Sequence, residues 1–99
     1  MREASATRAR FVVRGLVQGV NFRNAVVDEA IARHLTGRVW NRDDGAVEIV
    51  AEGEPAALDE LSRWLARGPR LAEVESVDRV ALGGERRYRD FAITYGAVS

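Results

Sequence analysis

The sequence contains neither cysteine nor lysine. Without cysteine there is no disulfide framework, no thiol nucleophile and no thiolate metal ligand, a composition in keeping with a reducing cytoplasm, where the protein is expected to reside. Without lysine, all 15 basic residues are arginines, a bias at mostly exposed-looking positions that reflects composition more than a demand for guanidinium groups. Net charge is also lacking, since 15 acidic residues balance the 15 basic ones. Long-range attraction to nucleic acid or an anionic membrane is therefore not implied, and any anion binding must be local. No apolar run approaches the roughly 20 residues needed to span a bilayer, and the N-terminus lacks the apolar centre of a signal peptide. A soluble chain without membrane association is expected.

What is present suits one globular unit. Ninety-nine residues, 46% of them hydrophobic, fit a single core, because domains usually run to about 100–150 residues. A disordered tail is expected over residues 1–7 and a single monomeric domain over 8–96. Within it, Ala9 to Val17 reads as a strand, with Phe11 and Val13 on one face and Val12 on the other. Gly15 and Gly19 bracket a turn. Phe22, Val26, Val27, Ala30, Ile31 and Leu35 then recur at helical spacing, predicting a helix from about Phe22 to Leu35 whose N-cap is Asn21, its side chain accepting a bond from a helix amide. Thr36–Asn41, the Asp43-Asp44-Gly45 turn and Val47–Ala51 make a hairpin. Pro55 opens a second helix with Leu58, Leu61, Trp64 and Leu65 as its buried stripe, and Gly68-Pro69 stops it. A fourth strand is expected over Glu73–Leu82, with apolar content from Val74, Val77 and Val80. A charged loop through Arg86, Arg87 and Arg89 is expected to be solvated, and Phe91, Ile93 and Tyr95 form a last short strand.

The order β-α-β-β-α-β is solved by a ferredoxin-like α/β sandwich, an α+β fold in which two split β-α-β units place both helices on one face of a four-stranded antiparallel sheet, here with a short extra C-terminal strand. The strands before and after the first helix run parallel with the third between them. Their C-terminal ends share one edge, which gathers the Gly15–Val20 loop, the start of the first helix and Asn41.

Glycines flanking a loop that enters a helix let backbone amides turn inward, and the helix start adds unpaired N–H groups and a positive dipole end. Arg23 in the first turn opposes that dipole unless an anion lies between them. An ordinary turn with Arg23 as a surface residue explains the loop as well, and Asn41 alone reads equally as a turn residue. The lone His34 lies at the far end of the first helix, on the order of 18 Å from the loop at ~1.5 Å per residue, too far for a base. Asp43 and Asp44 are explained by the Asp-Gly turn without a metal, and Trp40 and Trp64 as packing residues. RNA binding needs stacking aromatics on the central strands, where Phe11 stands alone.

Gly15-Leu16-Val17-Gln18-Gly19-Val20-Asn21-Phe22-Arg23 resembles the signature of the acylphosphatase family, in which a Val-Gln-Gly-Val loop leads through Phe to Arg. Leu35-Thr36-Gly37-Arg38-Val39-Trp40-Asn41 followed by Asp44-Gly45-Ala46-Val47-Glu48 resembles the family's second signature at the matching separation. The likeness continues through Gly53, the second helix, Gly68-Pro69 and Phe91–Tyr95. His34 departs from a usual glycine and Arg38 from a common tryptophan.

The resemblance implies hydrolysis of the carboxyl-phosphate bond of small-molecule acyl phosphates without cofactor or metal. It implies that the backbone of Leu16, Val17, Gln18, Gly19, Val20, Asn21 and Phe22 cradles the phosphoryl oxygens, that Arg23 clamps them, and that Asn41 holds the attacking water. Inorganic phosphate or sulfate would be a competitive ligand. The alternative is a non-catalytic anion-binding module on the same fold.

Overall fold

Seven elements follow one another along the chain: β1 (Thr7–Leu16), α1 (Phe22–Ala32), β2 (Thr36–Asn41), β3 (Val47–Gly53), α2 (Pro55–Arg67), β4 (Glu73–Leu82) and β5 (Phe91–Ile93). The structure, a computed structural model, describes residues 7–96. Of the tail expected over 1–7, only Thr7 falls among the described residues, and it opens β1 opposite Gly53. None of the described helices is long and apolar enough to cross a membrane.

The strands form one sheet in the order β4-β1-β3-β2-β5. β1 pairs antiparallel with β3 and β4, and β2 antiparallel with β3. The C-terminal strand, expected as an appendage, joins the sheet by pairing parallel with β2, Val39 opposite Ile93. The result is a five-stranded mixed sheet on the ferredoxin-like plan, with β1 and β2 parallel across β3. Period-two alternation sets the packed face: Ala9, Phe11 and Val13 of β1, Val39 of β2 and Val47, Ile49 and Ala51 of β3 meet Phe22, Val26 and Ala30 of α1 and Leu58, Leu61, Trp64 and Leu65 of α2. Each buried Val, Leu or Phe contributes about 1.5–3 kcal/mol.

Arginines cover the opposite face. The Arg10 guanidinium lies 5.9 Å from the centre of the buried Trp40 ring, and that of Arg38 lies 4.7 Å from Tyr88. Their stems shield apolar surface while their charged heads meet carboxylates. Glu52, fully buried, accepts from Arg8 Nε at 2.7 Å and from the backbone amides of Arg87 and Tyr88 at 2.9 and 3.0 Å. Burial alone pushes the Glu52 carboxyl up, but the Arg8 guanidinium and the two amides more than offset it, so its pKa lies below the usual carboxylate range. The loop expected to be solvated is exposed at Arg86, Arg87 and Arg89 but anchored through its backbone, and Arg86 also donates to Thr36 Oγ1 at 3.0 Å.

Three local expectations are corrected. Helix α1 stops at Ala32, not near Leu35. The His34 amide bonds Ile31 O at 3.0 Å and the Leu35 amide bonds Ala30 O at 2.9 Å, the paired closure of a Schellman motif with His34 left-handed at φ 59°. Leu35 sits at helical spacing because it is the apolar residue that caps this motif. Ile31, assigned to the apolar stripe, is 56% exposed. β4 keeps its expected bounds, Glu73–Leu82, and as an edge strand leaves Val80 exposed. Tyr95 lies beyond β5, which ends at Ile93.

Candidate active site

Three backbone features shape the loop between β1 and α1. Gly15 (φ 129°) sits at a register shift in the β1–β4 pairing, where a Cβ would stand 2.1 Å from the Glu73 carbonyl oxygen. Gly19 (φ 77°) turns the chain, and Asn21 (φ 64°) turns it again into α1. Asn21 makes no side-chain cap, contrary to expectation: its Oδ1 accepts instead from Asn24 Nδ2 at 2.8 Å. An Asn whose backbone is left-handed points its side chain away from the helix amides it would cap. The amides of the first turn consequently lack both an intrahelical partner and a side-chain cap, and no acidic residue occupies that turn.

These amides border a cleft of about 260 Å³ lined by Val17, Gly19, Asn21, Phe22, Arg23, Asn24, Asn41 and Ile93. Of the residues singled out in the sequence, the fold brings Val17, Gly19, Asn21, Phe22, Arg23 and Asn41 together there. Leu16, Gln18 and Val20 do not line it; Leu16 is 54% exposed and Val20 packs against the core. The side chain of Gln18 turns to the hairpin, where Nε2 donates to Arg42 O at 2.8 Å and Ala46 O at 3.0 Å.

Arg23 and Asn41 carry the polar chemistry of the cleft. Arg23 is half-buried and, among the described residues, has neither a hydrogen bond nor an ion pair; its guanidinium lies 5.7 Å from the centre of the Tyr95 ring. A guanidinium facing a carboxylate-free cleft beside uncapped amides is a ready partner for a tetrahedral oxyanion. Asn41, at the end of β2 opposite Val47, has a buried Oδ1 with no hydrogen-bond partner among the described residues. A buried acceptor left unpaired costs about 1–3 kcal/mol.

A larger cleft of about 480 Å³ shares Asn41 but has the opposite electrostatics, its wall carrying Asp43, Asp44 and Glu48. Its one guanidinium, Arg42, is already taken: it meets Asp44 at 2.9 Å and Glu48 at 3.2 Å. The Ala46 amide, followed by the Arg42 guanidinium, pulls the Asp44 carboxyl down to about 2, and Asp44 chiefly holds Arg42 above its ordinary value. Size favours this cleft for an anion and charge forbids it; charge decides. Among the described residues, no group of three or more His, Asp or Glu gathers as a metal ligand set.

The acylphosphatase family model matches residues 9–93. The chain belongs to the acylphosphatase family. It is 43% identical over 88 residues to an acylphosphatase of Pasteurella multocida, covering 89% of this chain and 98% of that protein. The acylphosphatase structure from Bacillus subtilis superimposes with a TM-score of 0.87 at 38% identity, covering 90% of this chain and 99% of that one. The Coxiella burnetii acylphosphatase gives 0.86 at 39% identity over 90% and 93% of the two chains. As an acylphosphatase, the chain is an enzyme with hydrolase activity. Two features of this acylphosphatase escaped sequence reasoning, the Gln18 strut and the Tyr95 ring over Arg23. Neither leaves a periodic signal, because the first ends on backbone carbonyls and the second lies beyond a strand end.

Proposed function

We propose that this acylphosphatase hydrolyses small-molecule acyl phosphates at the Arg23–Asn41 cleft, without a metal, as a cytoplasmic monomer. The observation that carries the reading is the meeting, in one carboxylate-free cleft, of an unpaired guanidinium and an unpartnered buried Asn41 Oδ1. Of the loop and first-turn backbone, the amides of the cleft-lining residues Val17, Gly19, Asn21 and Phe22, together with the planar fork of Arg23, take the phosphoryl oxygens. A water donates one O–H to Asn41 Oδ1, which aims its lone pair at phosphorus opposite the acyl oxygen. The new P–O bond forms as the P–O(acyl) bond breaks, and the bonding pair leaves with the carboxylate. Both water protons stay on the product, so an acyl phosphate dianion and water give a carboxylate and dihydrogen phosphate.

No base is required. A carboxylate leaving group, with a conjugate-acid pKa of about 4, departs without a proton. What remains for the protein is alignment and stabilisation of charge on the phosphoryl oxygens, the main sources of catalysis in phosphoryl transfer. Phosphate monoesters, whose alkoxide must be protonated, are poor substrates for such a site.

Phosphate release from benzoyl phosphate tests the reading. Turnover undiminished by a chelator, with inorganic phosphate or sulfate as a competitive inhibitor, is the expected result. Loss of activity in chelator restored by Mg²⁺ overturns metal independence, and phosphate binding without turnover identifies a non-catalytic anion-binding module.

A further inference from the structure

We infer that Gln18 is a positioning residue, whose side-chain amide sets the distance between the phosphate cradle and Asn41. The inference rests on the reading of Asn41 as the holder of the attacking water. The cradle belongs to the β1–α1 loop and Asn41 to the end of β2, so no covalent path shorter than α1 joins them. Gln18 bridges the two segments directly. Its Nε2 spends both hydrogens on the mouth of the β2–β3 hairpin, on Arg42 O at 2.8 Å and Ala46 O at 3.0 Å. Those two residues are already tied to one another by the Arg42 amide donating to Ala46 O at 2.8 Å. Arg42 is the residue after Asn41, so the strut grips the backbone one peptide from the amide that faces the cleft.

The hairpin mouth is rigid in its own right. Arg42 is held by Asp44 and Glu48, and Asp44 also accepts from the Ala46 amide at 3.1 Å and from Arg14 at 3.2 Å. The loop, by contrast, is gripped from its own side chains by buried Val17, by Val20 against the core and by Gln18, while Leu16 and Asn21 are exposed; of these only Gln18 ties it to the hairpin. Removing the strut frees the loop to shift relative to a fixed hairpin. The phosphate moves with the loop amides and Arg23 on α1, whereas the water stays with Asn41. Ground-state phosphate binding is thereby preserved and in-line alignment is lost.

Gln18→Met keeps the length of the side chain and removes both donors. Its kcat for benzoyl phosphate is expected to fall by about tenfold to a hundredfold, the scale of a misplacement on the order of 1 Å, with the inhibition constant of inorganic phosphate unchanged. Gln18→Glu supplies a donor only when its carboxyl is protonated, so its kcat is expected to rise toward acid pH relative to wild type, a pH dependence that a purely structural role does not produce. In an Asn41→Ala background, Gln18→Met is expected to cost nothing further, because its effect runs through Asn41. Circular dichroism establishes first that each variant is folded. Wild-type kcat in Gln18→Met, phosphate affinity lost in parallel with kcat, or additivity with Asn41→Ala overturns the inference. Wild-type turnover in Asn41→Ala itself overturns the reading of Asn41 and the inference with it, and that result is distinct from additivity between two damaging changes.

Discussion

Arg23 and Asn41 face the same cleft but differ in what they touch, and single substitutions separate them. On the proposed mechanism Arg23 contacts the phosphoryl group in the ground state and the transition state alike, so Arg23→Ala is expected to lose phosphate affinity and turnover together. Asn41→Ala is expected to keep phosphate affinity, read by calorimetric titration, while kcat falls by at least about a hundredfold, the cost of removing one positioned hydrogen-bonding group. Arg23→Lys is expected to stay badly impaired, since an ammonium cannot reproduce the bidentate fork; near-wild-type turnover there would mean that charge alone suffices. Both residues stood out in the sequence through the family resemblance, since read alone Arg23 suits a surface residue and Asn41 a turn residue. What was not legible is their state: that Arg23 finds no carboxylate among the described residues and that Asn41 Oδ1 goes unpaired depends on neighbours brought from β5 and the hairpin.

Elements were read well where periodicity is strong and less well at their ends. The six principal elements and the hairpin turn follow from apolar spacing and turn residues. The end of α1 was placed three residues late because Leu35 keeps the helical phase after the hydrogen bonds have closed the motif, a distinction that spacing alone does not carry. β5 was read as an appendage because parallel pairing with β2 leaves no local signature. The left-handed His34 gives the α1 terminus a testable weakness. A residue with a Cβ pays about 1–2 kcal/mol for that conformation, and glycine returns part of the gain as unfolded-state entropy, so His34→Gly is expected to add up to about 1 kcal/mol. That corresponds to a rise in Tm of about 4–8 °C for a domain of this size, measurable by thermal denaturation, with activity unchanged. A lower Tm would mean that the imidazole makes a compensating contact.

For the molecule as a whole, acid stability depends in part on Glu52. A carboxyl whose folded pKa is depressed contributes stability that is fully present above its unfolded value, about 4.3, and is lost as pH falls through the depressed folded value. Glu52 belongs to this class, and so does Asp44. Glu52→Gln is expected to be about 2–3 kcal/mol less stable at neutral pH, because Arg8 is left buried without a counter-charge. Urea midpoints measured from pH 7 down to pH 3 are then expected to fall less steeply than in wild type. Identical slopes would assign the acid sensitivity elsewhere. This anchor has no local signature, since its partners are a guanidinium at the start of β1 and two amides of a loop far along the chain. The pairing of β1 with β4 has a kinetic consequence. Arg8 finds its ladder partner at Leu82, so a strand at the heart of the sheet is completed only after most of the chain has been drawn into a closed loop. Entropy of closure is spent before the contacts reward it, which makes folding slower than that of a helical bundle of the same length.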